Sequence, residues 1–187
     1  MAATFNWCED NGAATGSPSR GTTRSQLASP PTDVSWKNVD DAKTSGGGTA
    51  YTASPVSAGS NSYTKYQYGQ FSGTFNLISN CVWSARTAPS GALATGLTLK
   101  GTVTSTYATP ATTTNAALTT NYTAAEVAIG SGLAVSFSTT GPQDAAPTAT
   151  LAAAGFTQYL ATQLQTTGSA AAGDMAAITT TLRYDES

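Results

Sequence analysis

Hydrophobic and polar residues alternate over several short stretches of this chain. In "LTLKGTVTSTY", Leu97, Leu99, Val103 and Tyr107 share one parity, while Thr98, Lys100, Thr102, Thr104 and Thr106 share the other. A period of two with threonine on the polar side predicts a half-buried strand. "LAVSFST" at 133–139 repeats the pattern through Leu133, Val135 and Phe137, and "ITTTLRYDES" at 178–187 through Ile178, Leu182 and Tyr184. In "FTQYLATQLQTT", Phe156, Leu160 and Leu164 fit a helix face and a strand face equally by spacing. Thr-rich flanks and neighbouring glycines favour the strand. "NAALTTNYTAAEVAIG" at 115–130 is the best candidate for a short helix, since its "TAAEVA" supplies alanines and a threonine placed to cap it.

One run departs from simple alternation. Residues 54–81, "SPVSAGSNSYTKYQYGQFSGTFNLISNC", concentrate three tyrosines and two phenylalanines around a single charge, Lys65. Phe71, Gly73 and Phe75 share one parity, and Tyr66 and Tyr68 the other, with Gly69 as a candidate bulge. Aromatics on both faces predict a strand covered on both sides. Phe71 and Phe75 are expected in the core. Tyr66 and Tyr68 are expected under a covering element or at a subunit contact, since tyrosine joins a large ring to a hydrogen-bonding tip.

Residues 1–50 look least regular. "GAATGSPSRGTTRSQLASPPTD" is dense in Gly, Pro and Ser, Pro30-Pro31 forbids helix and central strand, and "TSGGGTA" reads as a flexible link. Phe5, Trp7 and Trp36 are its anchors. The division expected is an extended N-terminal arm with loops over 1–50 and a β-sandwich domain over 51–187. Docking of the arm on a neighbouring subunit and packing of a strand and loops on the same domain both remain open. The fold class is all-β, an antiparallel sandwich of jelly-roll or Ig-like type with at most one or two short helices.

Composition narrows the function. Only 10% of the 187 residues are charged and 34 are threonine, with a net charge of −2. The eight basic residues are scattered, without a stripe to neutralise phosphates, so nucleic acid is a poor partner. No apolar run approaches the ~20 residues of a membrane helix. The chain has no histidine, which removes Ser-His-Asp, Cys-His and His-based metal constellations. Cys8 and Cys81 lack metal-ligand spacing and are read as reduced thiols. The acidic pairs Glu9-Asp10, Asp40-Asp41 and Asp185-Glu186 are read as solvated turns and ends rather than as a glycosidase pair. Asp40, Asp41 and Asp174 lack the spacing of a calcium loop. No catalytic residue, metal ligand or cofactor is assigned, and the chain is expected not to be an enzyme. The sequon at Asn121 is read as chance among so many threonines.

The run "SPVSAGSNSYTKYQYGQFSGTFNLISN" resembles β-rich virion structural proteins of tailed bacteriophages. The likeness lies in Ser62, Tyr63, Lys65 and Tyr66, in Gly73 through Asn80, and in the closing "TTTLRYDES". It implies a phage particle component, assembled in the host cytoplasm and residing in the virion. Its partners would be the major capsid protein or other virion proteins, and it would form a homo-oligomer, with a trimer among the options. The leading expectation is a capsid decoration (cement) protein that stabilises the shell. A tail, baseplate or fibre component is the alternative within the virion, and a carbohydrate-binding module the alternative of another class. Trp7, Trp36, Tyr63, Tyr66 and Tyr68 are the candidate interface residues.

Overall fold

The computed structural model describes residues 2–27, 36–42, 44, 47–87, 93–118, 120–121, 132–173 and 178–187. It is an all-β protein of two antiparallel sheets. The strands are β1 (Thr4–Thr15), β2 (Arg20–Gln26), β3 (Lys65–Ser72), β4 (Ile78–Thr87), β5 (Leu97–Thr104), β6 (Thr120–Asn121), β7 (Leu133–Ala134), β8 (Phe137–Ser138), β9 (Gly155–Thr157), β10 (Tyr159–Thr166) and β11 (Ile178–Glu186). The larger sheet runs β2-β1-β3-β10-β5-β6, with β9 beside β3 and β8 beside β9; the smaller runs β11-β4-β7. Among the described residues the helical content is one 3-10 turn, Tyr51–Ala53. Of the candidate helix within 115–130, residues 115–118 form a turn, Thr120–Asn121 are strand β6, and the "TAAEVA" part lies outside the described residues.

The first strands belong to the large sheet, so of the two packings left open for residues 1–50 the described ones take that on the same domain. Strand β1 pairs with β2 through Cys8↔Gln26 to Thr15↔Arg20, and with β3 through Thr4↔Ser72 to Asp10↔Tyr66. The alternation Phe5, Trp7 against Asn6, Cys8 is that of an inner strand, and residues 16–19 make the hairpin turn. Leu27 and Trp36, farther along the chain, are tied to the sheet as well. Trp36 Nε1 donates to Thr162 Oγ1 at 3.0 Å, and Leu27 N donates to Trp7 O at 2.9 Å.

The main core lies between the sheets. Phe71 of β3, Leu160 of β10 and Leu99 of β5 meet Ile78, Cys81 and Trp83 of β4, with Val135, Phe137 and Leu151 filling the end. Phe5, Leu182 and Tyr184 close the side, and Phe71 meets Tyr184 edge-on at 4.8 Å between ring centroids. A second cluster occupies the opposite face of the large sheet: Cys8, Tyr66, Tyr68, Tyr107, Leu118, Tyr159 and Ala161. Tyrosines dominate this layer because ring burial and hydroxyl satisfaction are met together there.

Four local expectations are revised. "LAVSFST" is two short strands, β7 in the small sheet and β8 in the large one, so the alternating run crosses between layers. Tyr107 lies beyond the end of β5 and joins the tyrosine cluster rather than the face of Leu99. Strand β3 ends at Ser72, before a turn at Gly73 (φ 86°), and Phe75 packs on the core from that turn, half-buried. Gly69 stays in register with Trp7 and is no bulge. A methyl there would stand 2.5 Å from Phe5 Cε2, so glycine makes room for the Phe5 ring.

Candidate functional site

Among the described residues, the two most buried carboxylates are consecutive in the sequence. Glu9 and Asp10 are 2% and 0% exposed, which overturns their reading as a solvated turn. Both lie inside β1, where successive side chains point to opposite faces. Each carboxylate therefore organises its own network.

On the face toward the 36–50 loop, Glu9 Oε1 accepts from Lys65 Nζ at 2.8 Å and from Asn11 Nδ2 at 2.9 Å. Glu9 Oε2 accepts from Gln67 Nε2 at 3.0 Å. Lys65 Nζ also donates to the Asp41 carbonyl at 2.7 Å, and Asn11 Nδ2 to Asp40 Oδ1 at 2.8 Å. The second Asp40 oxygen accepts from Gly12 N at 2.8 Å. Lys37, itself buried, pairs with Asp41 and donates to Thr49 O at 2.7 Å. Thr49 N returns a bond to Asp41 Oδ2 at 2.8 Å. Burial works against the Asp41 charge, but the Lys37 and Thr49 hydrogen bonds outweigh it and lower its pKa. "TSGGGTA" was expected as a loose link; its Thr49 is held at both backbone polar groups. Asp40 and Asp41 are thus committed to the sheet and loop. Asp174 lies outside the described residues.

On the opposite face, Asp10 accepts from Tyr159 Oη at 2.6 Å, Tyr68 Oη at 3.1 Å and Arg24 Nε at 3.2 Å. The Arg24 guanidinium lies 5.2 Å from the Tyr68 ring centre and 5.3 Å from that of Phe156. Burial opposes its charge, and Tyr68 and Asp10 more than offset that, leaving its pKa above the ordinary value. Burial first, and then the Asp10 charge, push the Tyr68 phenol up. Burial and the hydrogen bond to Asp10 do the same to Tyr159. Both phenols therefore serve as O–H donors. Tyr107 donates to the Gly12 carbonyl at 2.7 Å and meets Tyr66 at 4.6 Å between ring centroids.

The five candidate interface residues separate into two groups. Tyr66 and Tyr68 are buried, covered within the chain by Tyr107, Tyr159, Phe156 and Arg24. The covering element expected for them is supplied in cis, so they present no surface to a partner of the folded chain. Trp7, Trp36 and Tyr63 are half-buried. Trp7 meets Phe5 edge-on at 5.4 Å, and Tyr63 N donates to Lys37 O at 3.1 Å.

The outer surface is different in kind. Thr179, Thr181 and Arg183 of β11 are exposed, and among the described residues β11 has β4 as its one neighbour. Asp185 and Glu186 are exposed near the chain end, as expected; Asn80 Nδ2 donates to Asp185 and Ala3 N to Glu186, each at 2.7 Å. Cys8 and Cys81 are free thiols, both buried. Among the described residues no group of three or more Cys, Asp or Glu side chains is placed to hold a metal ion, and no helix is long and apolar enough to cross a membrane.

Asn11, Arg24 and Tyr159 went unremarked as functional residues in the sequence. The available signal was parity: Glu9 continues the series Phe5, Trp7, and Asp10 continues Cys8, into a buried strand. Comparison with protein-family models, with curated proteins and with solved structures found no match.

Proposed function

We propose that this chain is a non-enzymatic structural protein of a tailed-bacteriophage virion, a capsid decoration protein that binds the major capsid shell as a homo-oligomer. One observation supports the reading above the others. Glu9, Asp10, Lys37 and Lys65 are all buried, while the long outer strand β11 exposes Thr179 and Thr181 and, among the described residues, pairs on one side alone. Open edges and hydroxyl rows suit association through backbone hydrogen bonds and modest contacts, repeated by symmetry. Such contacts depend little on salt, which screens charge pairs. The burial of Tyr66 and Tyr68 within the chain argues against their use as a sugar-stacking platform.

The test is localisation on purified particles of the phage that encodes the chain. The expected result is recovery with the shell, in fixed ratio to its subunit, with density on the outer capsid surface. Recovery with separated tails would transfer the assignment to a tail, baseplate or fibre component. Absence from particles, together with retention on a polysaccharide column, would replace it with a carbohydrate-binding module.

A further inference from the structure

We propose that Lys65 and Asn11 are joined by an intramolecular isopeptide bond linking β3 to β1, with Glu9 as the group that moves the protons. The inference stands apart from the particle assignment, because it rests on chemistry inside the chain.

Three side chains carry it. Lys65 Nζ and Asn11 Nδ2 lie 2.8 and 2.9 Å from the same oxygen, Glu9 Oε1. The register Glu9↔Gln67, Asp10↔Tyr66 continues by one step to set Asn11 opposite Lys65, on the face they share with Glu9. All three are buried, at 2% (Glu9), 4% (Asn11) and 2% (Lys65) exposure. An amine, a carboxamide and a carboxylate are thereby held together away from water, where proximity replaces a bimolecular encounter. Asn11 Oδ1 is buried without a hydrogen-bond partner, so the amide is not locked through its carbonyl oxygen.

The step balances without an oxidant, metal or nucleotide. One proton passes from Lys65 Nζ to Glu9 Oε1, freeing the amine lone pair to add to Asn11 Cγ. A second Nζ proton travels through Glu9 to Nδ2 as the Cγ–Nδ2 bond breaks. Ammonia departs, takes the first proton and leaves as ammonium. Of the three ammonium hydrogens of Lys65, one remains on the new amide and two leave with Nδ2, and Glu9 returns to carboxylate.

A competing route exists, because Asn11 precedes Gly12 and a backbone amide can attack the same carbon to give a succinimide. Here Gly12 N donates to Asp40 Oδ2 at 2.8 Å, which engages that nitrogen.

The test is the intact mass of the purified full-length chain, reduced and denatured, followed by a tryptic map. Expected is a mass lower than the sequence by one ammonia, with peptide 1–20 joined to a peptide 44–86 in which Lys65 is uncut. Lys65→Arg, Asn11→Ala and Glu9→Gln should each restore the mass of their own sequence. Wild-type chain at full sequence mass, cut at Lys65, would overturn the proposal whether or not any variant folds. Ammonia loss confined to peptide 1–20 would overturn it in favour of the succinimide. A cross-link that persists in Glu9→Gln would remove Glu9 from the chemistry.

Discussion

Glu9 and Asp10 are neighbours in β1, and their carboxylates reach opposite faces of the large sheet. Glu9 meets Lys65 at 2.8 Å on one side, and Asp10 meets Tyr159 at 2.6 Å on the other. The two-residue period of a strand lets one acidic dipeptide anchor both layers that pack on the sheet. Buried carboxylates of this kind are costly unless they are paired and hydrogen-bonded. Asp10 meets that condition with three donors.

Replacing Asp10 with Ala should therefore destabilise the chain by about 3–5 kcal/mol, the range for removing one partner of a buried charged network. Tyr159→Phe, which removes a single donor, should cost about 1.5–3 kcal/mol. Urea unfolding midpoints measure both. A loss under about 1 kcal/mol for Asp10→Ala would show that the network adds little beyond the ring packing.

Tyr66 and Phe71 face opposite layers of β3 and are both enclosed by the chain itself. Phe71→Ala should cost about 3–5 kcal/mol, and Tyr66→Ala a comparable amount, in the melting of the isolated chain. Under the proposed capsid assignment, any loss of particle occupancy in Tyr66→Ala should follow its stability alone. An occupancy defect with unchanged melting would place Tyr66 at a subunit contact after all.

Burial raises the Cys8 thiol to about 11 and the Cys81 thiol to about 12. Near pH 8, the ordinary range of thiol titration, both should be protonated and closed to a thiol reagent in the native state. Both should react once the chain is unfolded in denaturant. Rapid native modification of one equivalent would contradict the burial of that residue.

Asp144 accepts from Ser138 Oγ at 2.5 Å, Thr140 Oγ1 at 2.9 Å and Ala146 N at 3.0 Å. The Ser138 bond, and then the Ala146 and Thr140 bonds, lower its pKa below 3.8. A depressed carboxylate contributes stability that is complete above its unfolded value and is lost as pH falls through the folded one. The advantage of wild type over Asp144→Asn should be present at neutral pH and fade below pH 3.8. Melting temperatures of the two proteins across that range check the sign. An advantage that grows with acid would refute it.

Much of the strand inventory was legible in the sequence. Leu97 through Val103, Ile178 through Tyr184 and the run after Phe156 carry their own period, because alternation is a local property of an extended backbone. The buried faces of Phe71 and Leu160 could be assigned for the same reason. Parity does not say what covers the other face, and there the tertiary structure decided. Asp10 and Tyr159 are 149 residues apart, and Glu9 and Lys65 are 56 apart. A carboxylate reads as solvated until such distant donors arrive, since its burial is tolerated only when they do. The same holds for the N-terminal hairpin. The alternation at Phe5 and Trp7 is short and runs straight into a Gly- and Ser-rich stretch, a weak strand signal on its own, and the place of these residues in the large sheet is set by pairing with β3. Tyr66 and Tyr68 had two admissible covers, another subunit or the same chain. The choice fell to Tyr107, Tyr159 and Arg24, whose approach depends on how the chain returns to β3 and on nothing local to it.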